Sequence, residues 1–369
     1  MFGIFKKHSP VVLGGRGRSG TVAISYLREP FLRLSEEAAR GHTNWQECRM
    51  MAEEWVARGY RVEVIDYRDS EYLPPPATRF AIDIHGNLER WVPQLPKVCT
   101  KVLHATGAHW LTQNAAELSR LEAIKCRRGR VLRPRRSAQP SRAIEFADYT
   151  TVLGNRFTID SFAFSGKPCH RIPISCAVTP TFPVDRNWEV ARNRFLWIGS
   201  FGMVHKGLDL VLEAFSKMPD CHLTVCGRPE KEEDFSEEYD RELRGLPNVF
   251  LAGWMDMNTP QFGALCRTHG GIIYPSCSEG GGGVVIHAMA RGLIPITTPG
   301  ASIDLADYGM AVEDASPQGV ADAIGRLRAL SNAELESRAR AGWDVVREQH
   351  SPGAFRENYR NFVGRISAG

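Results

Sequence analysis

Two short stretches hold the residue types that chemistry needs. The first is Pro275-Ser276-Cys277-Ser278-Glu279, followed by Gly280, Gly281, Gly282 and Gly283. Four consecutive glycines fit neither a strand interior nor a helix interior; they permit unusual backbone angles and close approach of a ligand. Gly271-Ile272-Ile273-Tyr274 ahead of them reads as a buried strand, and Val284 to Ala290 behind them as a helix closed by Gly292. A loop between strand and helix start offers free N–H groups and the positive end of a helix dipole, which suits a phosphate or diphosphate. Glu279, just ahead of the loop, could hold hydroxyl groups. The plain alternative is a flexible turn in an α/β domain. The second stretch is Lys206-Gly207, which opens the amphipathic run up to Phe215. A cation at the start of a helix can neutralise a bound anion.

The elements that must position these residues alternate along the chain. Thr21–Leu27, Tyr60–Asp66, Phe80–His85, Lys101–Gly107, Tyr149–Gly154 and Ile172–Ile174 read as strands, with helical periodicity over 44–58 and 112–126. Arg194–Gly199, His222–Gly227, Asn248–Met255 and Leu293–Thr298 repeat the pattern in the second half, and helices are expected over 320–330, 334–348 and 351–366. Such alternation predicts parallel sheets with ligands at the C-terminal strand ends. His85, His104 and His109 fall at or just past such ends. The Pro-rich stretch 178–188 reads as a linker. Gly15, Gly17 and Gly20 fit Gly-x-Gly-x-x-Gly, but a strand-like run follows where a dinucleotide site needs a helix, so residues 10–20 read as a loop before the first core strand. Glu230–Glu238 reads as a solvated insertion.

With 369 residues the chain is long enough for two domains. A net charge of +4 identifies no partner. The nine cysteines are scattered without a Cys-x-x-Cys pair, so the expectation is reduced thiols and no metal site. There is no apolar run of the ~18 residues that a membrane span needs, and Met1–Lys7 does not read as a signal peptide. Six arginines fall within Arg127–Arg136. They read either as a solvated loop or as a contact for an anionic partner, such as a membrane surface or a lipid-pyrophosphate acceptor. No nucleic-acid module is visible.

Ser276, Glu279, Gly280, Ala288, Met289, Ala290, Gly292 and Pro295 match in order the donor signature of retaining glycosyltransferases of family 4, and Lys206-Gly207 matches a second element of it. The chain resembles that family over about 194–310 and more loosely over 20–178. The resemblance implies a GT-B fold: two Rossmann-like α/β domains facing a cleft. It implies an acceptor domain over 1–178, a linker over 179–192, a nucleotide-sugar domain over 193–349 and a final helix, 350–369, returning to the first domain. The implied reaction is transfer of a sugar from a nucleotide-diphosphate sugar to a glycan, glycolipid or other hydroxyl acceptor, with retention, no metal and no separate cofactor. Implied catalytic residues are Glu279, Lys206 and either His104 or His109. Implied donor contacts are Ser200, His205, Lys206, Arg228, Trp254, Met255, Ser278, Glu279, Gly280–Gly283 and His287; Trp254 has an equal claim to a core role. Two positions depart from the pattern. His287 stands where the family has a ribose-binding Glu, and Ser200 where it has Arg, so Lys206, His205 or Arg228 would have to compensate. The expected place is the cytoplasm, with peripheral contact at the inner membrane face through Arg127–Arg136. Two rival readings are a degraded transferase that only binds or scaffolds, and a nucleotide-sugar epimerase.

Overall fold

The structure is a computed structural model and describes residues 9–15, 19–32, 43–177 and 180–368. Gly17, the first seven residues and the 178–179 start of the linker lie outside the described residues. The N-terminal sheet contains β1 (Val11–Leu13), β2 (Thr21–Tyr26), β3 (Arg61–Asp66), β4 (Thr78–Asp83), β5 (Thr100–Ala105), β6 (Tyr149–Val152) and β7 (Cys169–Arg171). Its order is β1-β3-β2-β4-β5-β6-β7. All neighbours run parallel except β1, which lies antiparallel on β3 at the edge. The C-terminal sheet holds β8 (Arg194–Gly199), β9 (His222–Gly227), β10 (Val249–Leu251), β11 (Gly271–Tyr274), β12 (Ile294–Thr297) and β13 (Met310–Ala311). It is parallel throughout, in the order β10-β9-β8-β11-β12-β13. These are the two Rossmann-like sheets of a GT-B fold. In both, the central strands are apolar on both faces because helices cover both sides; Ala23, Ile24, Leu196 and Ile273 are wholly buried.

Some local expectations shift. Residues 10–20 were expected as a loop, but Val11–Leu13 pairs with Val62–Val64 as an edge strand. β2 follows Gly20 directly, so the helix required by a dinucleotide loop is not there. The last N-terminal strand is Cys169–Arg171 rather than Ile172–Ile174. Ile172 and Ile174 still donate to the carbonyls of Val152 and Leu153, but Pro173 between them has no N–H to extend a ladder. The stretch 229–238 is not merely solvated: it forms a 3₁₀ turn and the helix Glu233–Glu238, with Phe235 buried.

The segments leading out of the N-terminal domain are tied at several points. Arg186 is buried and donates to the carbonyls of Cys266, Arg291 and Gly292 in the C-terminal domain. The helix Pro352–Ser367 lies on the helix Thr43–Ala57, where Trp55 Nε1 donates to Tyr359 Oη at 2.9 Å. His350 contacts the Ile174 carbonyl through Nδ1 at 2.7 Å, and its own carbonyl accepts from the amide of Cys176.

Glu47 holds this same crossing. It is wholly buried on the helix Thr43–Ala57, and Oε1 accepts the amide of Ser175 at 2.6 Å. Burial pushes its carboxyl up to about 8, against a smaller downward pull from Ser175. A carboxyl that keeps its proton only when folded contributes stability fully present below the unfolded value near 4.5 and lost as pH rises through about 8. Glu47→Gln keeps the shape and removes the titration. Its melting temperature is expected to exceed wild type at pH 8 and to vary less between pH 5 and 8. Parallel melting curves check this; identical pH profiles would show that Glu47 is not protonated in the folded chain.

Candidate functional site

The site forms where the loops after β8 and β11 meet, as adjacency of those strands dictates. Lys206 Nζ donates to Glu279 Oε1 at 2.8 Å and to Tyr274 Oη at 2.6 Å. Tyr274 Oη and Ser276 Oγ also donate to Glu279 Oε1, at 2.8 and 3.0 Å. Burial alone would raise the Glu279 carboxyl. The Lys206 charge beside it outweighs burial, with help from Arg136, and holds it at about 2. Glu279 is therefore a fixed carboxylate. Its other oxygen, Oε2, accepts no hydrogen bond among the described residues, and Glu279 lines an open cavity of about 700 Å³.

The backbone carrying Lys206 is fixed from two sides. Trp197 Nε1 on β8 donates to the Lys206 carbonyl at 3.2 Å, and the His205 carbonyl accepts from the Cys277 amide and from Ser276 Oγ. The His205 ring is wholly buried, and its Nε2 donates to the Ser278 carbonyl at 2.5 Å. Burial lowers its pKa, which keeps the ring neutral. Expected as a donor contact, His205 instead clamps the two loops together and does not line the cavity. The Ser278 hydroxyl is also buried.

The glycine loop faces both domains. Gly280, Gly281, Gly282 and Gly283 line the cavity, and among the described residues the amides of Gly280–Gly282 donate to no protein acceptor. Gly282 has φ +55° and leads into the helix Gly283–Met289. At Gly280 a Cβ would stand 1.8 Å from the carbonyl oxygen of Thr106 at the end of β5, so only glycine allows this approach of the two domains. Nearby, Ser302 Oγ meets Thr158 Oγ1 at 2.5 Å and accepts the Asn155 amide at 3.1 Å, and Thr158 Oγ1 donates to the Glu279 carbonyl.

The cavity lies between this loop and the C-terminal ends of the N-terminal strands. Tyr26, Trp45, Tyr67, Trp110 and Phe162 give it an aromatic lining, with His85 and His109 as titratable neighbours. His109 occupies the N-cap position of the helix Trp110–Arg128 without a side-chain capping bond, sits against Phe162 and Phe164, and has its pKa lowered by burial. His104 does not line the cavity. It is wholly buried in β5 with Nδ1 2.7 Å from Thr151 Oγ1, and burial lowers its pKa to about 4. His104 stands inside β5 between Leu103 and Ala105, which line the cavity, so strand alternation turns it to the other face, whereas His109 lies past the strand end at the start of the next helix. Of the two histidines put forward from the sequence, His109 is the one placed at the cavity.

His287 lines the cavity and is buried, with Nε2 3.2 Å from Thr43 Oγ1. Burial, then Arg291, lowers its pKa to about 4, so it is neutral at pH 7. Trp254 is 54% exposed rather than in the core, and the Arg228 guanidinium lies 5.5 Å from its ring centroid. Met255 beside it is half-buried, and Ser200 is exposed on the turn after β8. Arg228 and Trp254 meet just past the ends of β9 and β10, and neither they nor Met255 line the main cavity.

The arginine run mostly faces acidic groups of the C-terminal domain. Arg127 pairs with Asp209 and Glu213, Arg128 with Glu238 and Glu242, Arg130 with Glu238, and Arg135 with Asp234. These pairs spend much of the charge that would attract an anionic surface. Two residues overlooked in the sequence belong to the site: Tyr274, which looked like plain strand, and Arg136, which looked like part of a solvated run. A tyrosine closing a strand directly before Pro-Ser was the only available hint of the first. Among the described residues no group of three or more His, Cys, Asp or Glu is gathered to hold a metal, and no helix is long and apolar enough to cross a membrane.

Two parallel Rossmann-like sheets with a cleft between them, and a Lys–Glu pair beside a glycine loop, define the class: a GT-B protein. Residues 192–329 match the family "Glycosyl transferases group 1". The fold is similar to sucrose-phosphate synthase from Thermosynechococcus elongatus, at 16% identity and a TM-score of 0.63 over 95% of this chain and 100% of that one. Anabaena Alr3699/HepE, solved in complex with UDP and glucose, is similar at 12% identity and a TM-score of 0.58 over 95% and 100%. TarM is similar at 16% identity and a TM-score of 0.52 over 76% of this chain, which spans only 53% of TarM. No curated protein matches the sequence.

Proposed function

We propose that the chain transfers a sugar from a nucleoside-diphosphate sugar to a hydroxyl acceptor with retention of configuration. One observation carries the reading: the fixed Glu279 carboxylate, gripped on one oxygen by Lys206 and Tyr274, leaves its other oxygen open to the cavity beside the free amides of the glycine loop. In this reading Glu279 Oε2 accepts from sugar hydroxyls. Lys206, whose ammonium carries three donors, and the amides of Gly280–Gly282 receive the diphosphate. The Trp254–Arg228 pair supports the base, and His287 stands near the ribose. The bond between the anomeric carbon and the diphosphate oxygen breaks, and the electron pair leaves with the diphosphate. The acceptor oxygen bonds to the same face of that carbon and gives its proton to a diphosphate oxygen. Fixed cations and amides aimed at the growing charge are the kind of stabilisation that gives the largest rate effects. Aromatic rings along the N-terminal side of the cavity suit the apolar faces of an acceptor sugar.

HepE's complexes with UDP make UDP-sugars the first donors to try. A ligand bound only by the folded chain raises its apparent melting temperature. UDP-, GDP-, ADP- and dTDP-sugars are to be screened, and one is expected to give a clear upward shift. Product analysis with that donor, with and without added glycan acceptors, is expected to show an acceptor-dependent product of unchanged anomeric configuration by NMR. No shift with any donor in a cooperatively folding sample would overturn the reading. A rearranged donor without acceptor would replace it with an epimerase.

A further inference from the structure

The turn Ser200-Phe201-Gly202 after β8 leads into Lys206 and carries no cation of its own. Of the three expected substitutes, Lys206 is already bonded to Glu279, His205 is neutral and bonded to the Ser278 carbonyl, and Arg228 lies over Trp254. We propose that Arg136, from the N-terminal domain, supplies the second cation of the diphosphate site, so that the nucleoside diphosphate is gripped from both domains at once. The proposal rests on the donor-site reading above.

Three observations carry it. The first is position. Arg136 lines the cavity with Glu279 and Gly280–Gly283, and its Cγ and Cδ lie 2.5 and 3.0 Å from where a Cβ on Gly202 would stand. Its stem therefore rests on the turn that precedes Lys206. The second is its lack of a partner. Arg127, Arg128, Arg130 and Arg135 each pair with a carboxylate, whereas among the described residues the Arg136 guanidinium makes no hydrogen bond or ion pair. The third is a fixed backbone. The buried carboxylate of Glu117 accepts the amides of Arg135 and Arg136 at 2.9 and 2.8 Å. Gln113 Nε2 donates to the Arg136 carbonyl at 2.5 Å, and Asn114 exchanges two hydrogen bonds with the backbone of Ala138. A guanidinium on a pinned loop, facing a cavity and unpaired, is prearranged for a bidentate anion such as a phosphate. Its charge already reaches the site, since it helps hold the Glu279 carboxyl low. Because Arg136 belongs to one domain and Lys206 to the other, a bound diphosphate would also hold the two domains together.

The test is calorimetric titration with UDP, GDP, ADP and dTDP, continued with the tightest. Arg136→Ala is expected to raise Kd roughly ten-fold or more, the size of one lost charge-assisted hydrogen bond, and to make Kd less sensitive to added salt. Arg136→Ala combined with Ser200→Arg, which returns a cation to the same turn from the other domain, is expected to recover most of the affinity. Cooperative melting of each variant guards against unfolding. If Lys206→Ala weakens binding while Arg136→Ala stays within about two-fold of wild type, the proposal falls and the donor site stands. If the wild-type chain binds none of the four, the donor-site reading falls and takes the proposal with it.

Discussion

Lys206→Ala is expected to lower turnover by roughly 100- to 1,000-fold with a competent donor, the range found when one fixed donor to a developing anion is removed. Two effects combine. The diphosphate loses its nearest cation, and Glu279 loses the largest charge that offsets its burial. The carboxyl then rises from about 2, and sugar binding through Oε2 becomes sensitive to pH, improving as pH increases. In the wild-type chain this carboxylate contributes stability that is present above the unfolded value near 4.5 and lost as pH falls towards about 2. The variant should lose that acid-side dependence. Removing one member of a buried pair costs ~3–5 kcal/mol at worst. Tyr274 and Ser276 still donate to the carboxylate, so the cost should sit at or below the low end and leave a cooperative melt. Initial rates from pH 5 to 9 and melting curves from pH 2 to 6 measure both effects. Wild-type turnover in the variant would remove Lys206 from the mechanism.

How much of this was legible in the chain depends on whether a contact is local. Glu279 and the glycine loop sit in one strand-loop-helix unit, and Lys206 follows the neighbouring strand β8. Their meeting follows from parallel-sheet topology alone. The sheets themselves were legible because buried parallel strands are short apolar runs. β1 was not, because three residues at a sheet edge carry little periodicity. Residues that act across the cleft left no trace in sequence. Arg136 sits in an arginine run in which Arg127, Arg128 and Arg135 pair with Asp209, Glu213, Asp234, Glu238 and Glu242, carboxylates some 80 to 115 positions away. The acidic stretch 230–238 looked solvated for the same reason: its partners lie on the other domain. His104 and His109 were inseparable until the end of β5 was known: His104 lies inside the strand, where register sends it to the core, and His109 lies beyond it at the helix start.

Gly280→Ala is expected to be the most damaging small substitution in the chain, abolishing turnover while leaving each sheet folded. An added Cβ would stand 1.8 Å from the Thr106 oxygen and 2.8 Å from the Gly107 nitrogen, both backbone atoms that cannot rotate away. Relief requires the N- and C-terminal domains to separate at this point. Separation would break the Thr158–Ser302 and Asn155–Ser302 contacts and carry His109 and Arg136 away from Glu279. Gly283→Ala is the matched control. It opens the helix that follows the same loop, and its Cβ would meet only the Cδ1 tip of Ile174 at 3.3 Å. That variant should keep most activity and melt no lower than wild type. Small-angle scattering should show a larger radius of gyration for Gly280→Ala than for wild type or Gly283→Ala. If Gly280→Ala turns over normally at wild-type dimensions, the contact between Thr106 and the glycine loop is no part of the working enzyme. If it stays compact but inactive, the glycine serves the bound diphosphate through its amide rather than the closure of the domains.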